Sequence, residues 1–109
     1  MSLDDTSFTR IATATLESFM DGIEAVLGDQ ADVDLEGGIL TIELDAGGQY
    51  VINKHEPNRQ IWMSSPASGA THYDYDADAE QWRCTRSGDY LDEKLAAELK
   101  ASTGVAVRL

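Results

Sequence analysis

Between positions 7 and 27 the apolar residues recur at helical spacing: Phe8, Ile11, Ala12, Leu16, Phe19, Ile23 and Val26, with Thr15 on the same stripe. That period predicts an amphipathic helix. Asp4, Asp5, Thr6 and Ser7 offer N-cap side chains before it, and Gly28 a stop after it. The period then changes to two. In the run from Gly38 to Leu44, Leu40, Ile42 and Leu44 share a face. Further short segments at 49–54, 60–65, 70–75 and 81–85 are separated by turn residues such as Gly47-Gly48, Glu56-Pro57-Asn58 and Pro66-Ala-Ser-Gly69. Closely spaced strands with short turns predict an antiparallel meander. From Asp89 the helical period returns through Leu91, Leu95 and Leu99 and ends near Gly104, with Ser87 or Asp89 as the cap. Val105-Ala-Val107 can add a short last strand. Helix, strands, helix is an α+β order. Two helices packed on one face of an antiparallel sheet of five to seven strands make a two-layer α/β sandwich. At 109 residues one unit spanning 1–109 is the expectation.

Two layers leave one sheet face in water, and alternation assigns it. Asn53, Gln60, Trp62, Ser64, His72 and Arg83 fall on that outer face, opposite Ile52, Ile61, Met63, Tyr73, Trp82 and Cys84. The outer face is polar with one large aromatic. Trp62 is either a binding anchor, since Trp and Arg dominate interface hot spots, or a ring half-covered by stems such as Arg83. Trp82 and Cys84 alternate inward and read as core.

Charge changes this picture. The chain carries 20 acids against 8 Lys and Arg, a formal net charge of −12. Residues 1–48 hold eleven acids and one base, and residues 49–109 hold nine acids and seven bases. Such a balance disfavours nucleic acid and anionic membranes as partners. No apolar run approaches the ~18 residues of a membrane helix. The first ten residues lack the basic and apolar pattern of a targeting segment, which reads as a soluble cytosolic protein or a trimmed mature form. One cysteine excludes an internal disulfide framework and a Cys-rich zinc site. On a helical wheel Glu17, Asp21 and Glu24 lie opposite the apolar stripe and form a solvent-facing acidic ridge.

Candidate chemistry narrows the choice. Positions 32–43 (Asp32, Asp34, Glu36, Gly37, Ile39, Glu43) approach a calcium-loop pattern, but the residues that follow alternate as a strand where that motif needs a helix. Looser hard-cation binding by these carboxylates stays open. No nucleophile elbow, phosphate loop or HExxH motif is present. His55 reads as an exposed polar turn residue, and His72 as a partner or metal contact on the sheet face. Carboxylates with few His or Cys suit hard, labile cations. Oxygen ligands spread along a helix bind them weakly, which suits delivery.

The stretch Asn53-Lys54-x-x-Pro57-x-x-Gln60-Ile61-Trp62, followed by Ser64-Ser65-Pro66-x-Ser68-Gly69, resembles the signature of the frataxin family, including bacterial CyaY proteins. Gly37-Gly38-Ile-Leu-Thr-Ile, Tyr73-Asp74, the Trp82 segment and Ser87-Gly88 extend the resemblance over essentially the whole chain. It implies a frataxin-like fold and an iron-binding accessory role in iron–sulfur cluster assembly, as iron donor or regulator of a cysteine desulfurase–scaffold complex. The implied metal is weakly bound Fe²⁺ or Fe³⁺, on Asp4, Asp5, Glu17, Asp21, Glu24, Asp29, Asp32 and Asp34. The implied partner contacts are Asn53, Gln60 and Trp62, joined by His72 and Arg83. The implied partners are the cysteine desulfurase, the scaffold protein and, beyond them, ferrochelatase. A monomer that metal can assemble further is expected, in the cytoplasm or, as a processed form, in the mitochondrial matrix. Met20 and Ala25 stand where many relatives carry acids, which bears on ion number and affinity. The competing readings are a slow ferroxidase, which needs a preorganised di-iron pair that no Glu-x-x-His motif supplies, and a calcium-binding module at 32–43.

Overall fold

The structure is a computed structural model and describes residues 4–109; positions 1–3 of the expected 1–109 unit lie outside the described residues. Helix α1 (Asp5–Leu27) starts earlier than the apolar period alone predicts. Asp4 is extended, and its Oδ1 accepts the Ser7 backbone N–H at 2.7 Å. That hydrogen bond satisfies an otherwise unpaired donor of the first turn. The buried stripe is Phe8, Ala12, Leu16, Phe19, Ile23 and Leu27. Val26, placed on the stripe by periodicity, is 44% exposed. One residue turns the helix by about 100°, and Leu27 closes the face instead.

Six strands follow: β1 (Ala31–Glu36), β2 (Ile39–Leu44), β3 (Gln49–His55), β4 (Gln60–Ser65), β5 (Gly69–Asp76) and β6 (Gln81–Cys84). They form one antiparallel sheet in the order β1-β2-β3-β4-β5-β6. The first strand is a departure from expectation. Asp32 to Glu36, the start of the considered calcium loop, is β1, and Gly37 and Gly38 form the two-residue turn into β2. Both glycines have positive φ, +60° and +79°, as the tight turns that match strand twist require. Alternate side chains of a strand share a face, so Asp32, Asp34 and Glu36 line up along the outer face of β1 and do not curl round one ion as a calcium loop requires. The calcium-loop geometry considered at 32–43 does not form.

Helix α2 (Leu91–Thr103) buries Leu91, Leu95 and Leu99. Its N-cap is Tyr90, with no side-chain bond, and not Ser87 or Asp89. Gly104 ends it in left-handed backbone as expected, its N–H bonded to the Lys100 carbonyl. The last strand drawn at Val105 to Val107 does not form. Those residues run back against the helices: Val107 is buried, and a Cβ at Gly22 would meet the Arg108 carbonyl oxygen at 2.7 Å. The six-strand count therefore comes from β1 at one edge.

Both helices cover the same sheet face, α1 over β1 to β3 and α2 beside β6. The core between the layers joins the α1 and α2 stripes to Leu40, Ile42, Tyr50, Ile52, Ile61, Met63, Tyr73, Trp82 and Cys84. Trp82 donates its Nε1–H to Thr15 Oγ1 at 3.0 Å, which satisfies its polar atom inside the core. No helix among the described residues is long and apolar enough to cross a membrane.

Candidate functional site

Directly paired residues of neighbouring strands share a face, so the register defines the outer surface row by row. One row reads Glu36, Ile39, Asn53, Trp62, His72 across β1 to β5. The next reads His55, Gln60, Asp74, Arg83 across β3 to β6. The five partner-contact residues named from the sequence, Asn53, Gln60, Trp62, His72 and Arg83, therefore lie on one face in two adjacent rows. Ile39 joins them as a 41% exposed apolar side chain at the β2 position of the Trp62 row.

Trp62 is not a free anchor. Its ring stacks on His55 with centroids 3.6 Å apart and planes 9° apart, and on His72 at 4.0 Å and 9°. Two imidazoles so close to one indole centre would overlap if they shared a face, so they lie on opposite faces. The Trp62 Nε1–H donates to Gln60 Oε1 at 2.8 Å, and the Gln60 Nε2–H donates to Asp74 Oδ1 at 2.9 Å. Arg83, considered as a cover for Trp62, is drawn the other way. Its Nη2 meets Asp76 Oδ2 at 2.9 Å and the Tyr90 hydroxyl at 2.6 Å, with the guanidinium 4.8 Å from the Tyr90 ring centroid. The hydrogen bond from Arg83 holds the Asp76 carboxyl below its ordinary range, and the same contact raises Arg83.

His55 is the residue whose role the sequence misjudged. It closes β3 in a half-buried position, and its Nδ1 is buried with no hydrogen-bond partner among the described residues. The ring is placed by its contact with Trp62. That contact runs diagonally between strands and depends on the β3–β4 register, which no local pattern reveals.

The acidic residues divide between two surfaces. Glu17, Asp21 and Glu24 are exposed on α1, and Asp29 is exposed in the turn to β1. Asp32 and Asp34 are exposed on the outer face of β1 together with Glu36. Asp32 lies directly opposite Glu43 of β2, a like-charge pair that works against the sheet. Asp4 and Asp5 have other engagements. Asp4 caps α1, and its hydrogen bonds from Ser7 hold its carboxyl below the ordinary range. Asp5 Oδ1 pairs with the Arg59 guanidinium at 2.9 Å. No group of three or more His, Cys, Asp or Glu side chains converges as a metal cage among the described residues. Such a surface can concentrate cations through its field but presents no rigid coordination geometry. Cys84 sits 5% exposed in the core.

A further polar network lies between the layers. Glu98 on α2 accepts from the Tyr50 hydroxyl at 2.9 Å, from Ser65 Oγ at 2.5 Å and from Ser68 Oγ at 2.7 Å, with Lys94 Nζ at 3.7 Å. Ser65 Oγ in turn accepts the backbone N–H groups of Ala67 and Ser68. The Ser-Ser-Pro-x-Ser-Gly loop is thus fastened to α2. Burial pushes the Glu98 carboxyl up, but the hydrogen bonds from Ser65, Ser68 and Tyr50 and the charge of Lys94 outweigh it and leave the group low. Burial, with the Glu98 hydrogen bond, pushes Tyr50 up to about 12. A groove of about 400 Å³ between α1 and β6, lined by Ile11, Phe19, Tyr75, Trp82 and Leu109, contains none of the predicted site residues.

A sequence profile of the frataxin-like domain matches residues 1–105. The chain is 39% identical over 107 residues to a protein of Thioalkalivibrio sulfidiphilus named "Iron-sulfur cluster assembly protein CyaY", covering 96% of this chain and 98% of that one. It is 38% identical over 111 residues to mitochondrial frataxin of Arabidopsis thaliana, covering 98% of this chain and 59% of the plant protein. Among solved structures, frataxin from Psychromonas ingrahamii superposes with a TM-score of 0.86 at 27% identity, covering 97% of each chain. Trimeric frataxin from the yeast Saccharomyces cerevisiae, complexed with ferrous iron, superposes with a TM-score of 0.77 at 34% identity, covering 87% of each chain.

Proposed function

The chain belongs to the frataxin-like domain family, and from that premise we propose that it is an iron-binding accessory protein of iron–sulfur cluster assembly. The observation that carries this reading is the make-up of one sheet face. A fixed Trp62, with Asn53, Gln60 and His72 around it, shares that face with the acid-bearing edge strand β1. A curated relative matched along almost its whole length is named for the same assembly process.

The chemistry follows from the two surfaces. Ferrous iron is the cargo. It meets exposed carboxylates, of which Glu17, Asp21, Glu24, Asp29, Asp32 and Asp34 make no ion pair among the described residues. Oxygen donors without a closed cage hold a hard cation loosely and release it readily. Asp4 and Asp5 contribute less, since one caps α1 and the other is matched to Arg59. The same negative field steers a basic partner surface and speeds encounter, while the Trp62 face supplies the short-range contact. The partners proposed are the cysteine desulfurase and its scaffold.

Pull-down of the desulfurase–scaffold complex, with and without Fe²⁺, tests this. Wild-type protein should be captured, and charge reversal at Asp21 and Glu24 should weaken both Fe²⁺ binding and capture. Undiminished binding of both at low salt would show that the ridge has no such role.

A further inference from the structure

Trp62 is held on three sides. Its N–H is taken by Gln60, whose amide is fixed in turn by Asp74. His55 covers one face of the indole and His72 the other. The indole edge is what remains for a visitor. His55 occupies its place although Nδ1 is buried without a partner. Leaving a polar nitrogen unpaired is unfavourable, so stacking on Trp62, and not hydrogen bonding of Nδ1, places this ring.

We infer that His55 and His72 are positioning residues that clamp Trp62 between them, so that a partner meets the indole by its edge. This rests on the docking reading given above and states how that docking works. An exposed Trp ordinarily loses rotamer freedom on binding, and a clamped one has lost it beforehand. The clamp also defines the partner's chemistry. Capture of an arginine or another aromatic on the indole requires a free face, and both faces are occupied. The complement is therefore a narrow cleft that takes the apolar indole edge and offers hydrogen-bonding groups to the imidazole edges beside it. Exposed Ile39 extends the same row toward β1.

The charged groups around the clamp are engaged with other partners or lie at its margin. Asp74 accepts from Gln60, Arg83 is paired with Asp76, and Glu56 is paired with Lys54. Glu36 lies at the far end of the Trp62 row. Steric placement of the rings is thus the property to test.

The experiment measures NMR relaxation of the Trp62 indole N–H, assigned by its disappearance in Trp62→Phe, together with calorimetric binding to the desulfurase–scaffold complex. His55→Ala and His72→Ala should each lower the indole order parameter and weaken association about two- to tenfold. His55→Phe should retain both, because a phenyl ring stacks and leaves no orphaned nitrogen. The inference is overturned if the order parameter is unmoved in His55→Ala, or if His55→Phe behaves like His55→Ala although its melting temperature matches wild type. Trp62→Ala separates the two levels. Wild-type binding by that variant removes the docking reading, and the order parameters still decide the clamp.

Discussion

The Tyr50 hydroxyl on β3 donates to Glu98 Oε1 on α2 at 2.9 Å, joining residues 48 apart in sequence. The same carboxylate holds Ser65 and Ser68, so a single side chain fastens α2 to β3 and to the loop between β4 and β5. Glu98→Ala leaves three hydroxyls, those of Tyr50, Ser65 and Ser68, without this acceptor. It should destabilise the fold by about 2–3 kcal/mol in urea unfolding, and Glu98→Gln should cost less.

Glu98 also makes stability depend on pH. Its folded carboxyl titrates below the ordinary value of 4.5. Near that pH the unfolded chain therefore holds more protons, and the stabilisation is complete only above it. Stability should fall as pH drops through 4.5 and on through the lower folded value. In Glu98→Gln this part of the slope should be missing, which urea midpoints measured across the acid range will show.

Gly22 reverses the usual rule for helices. Alanine in a helix interior is ordinarily better than glycine by about 1 kcal/mol. Here the added Cβ would lie 2.7 Å from the Arg108 carbonyl oxygen, and overpacking of this kind costs roughly 1–3 kcal/mol. Gly22→Ala should lower the melting temperature of the full chain. In a chain truncated after Gly104 the same substitution should raise it relative to the truncated parent.

The Asp32–Glu43 pair should reveal a conflict between stability and binding. Replacing Glu43 by Gln relieves like charges directly opposite one another on the outer face. A gain of roughly 0.2–1 kcal/mol at low salt is expected, shrinking as salt is added. Calorimetric Fe²⁺ affinity should fall in the same variant. A gain in stability with unchanged iron affinity would mark these acids as a merely solvated surface.

Much of this was legible along the chain, and the particular failures are instructive. Strands β2 to β6 announce themselves because Leu40, Ile42, Ile61 and Met63 alternate with polar residues between turn-forming segments. Strand β1 does not, since Asp32, Asp34 and Glu36 imitate a cation loop and Asp is poor in strands. Its inward residues Ala31, Val33 and Leu35 carry the alternation, but are too few and too small to dominate the reading. Val105 to Val107 alternate equally well, yet the strand they suggested gives way to packing against α1. The outer-face residues followed from period two alone. Their contacts did not. The His55–Trp62 stack depends on register, and the Glu98 network gathers residues from three elements. Local spacing contains neither.

Trp62 is the residue on which docking to the iron–sulfur assembly machinery through the outer sheet face is best tested. The measurement is calorimetric titration of wild type and Trp62→Ala into the cysteine desulfurase–scaffold complex, with matched melting temperatures as the control for folding. Wild type should bind, and the variant should lose at least about 2 kcal/mol, more than tenfold in affinity. Equal affinity of the two proteins would contradict docking through this face.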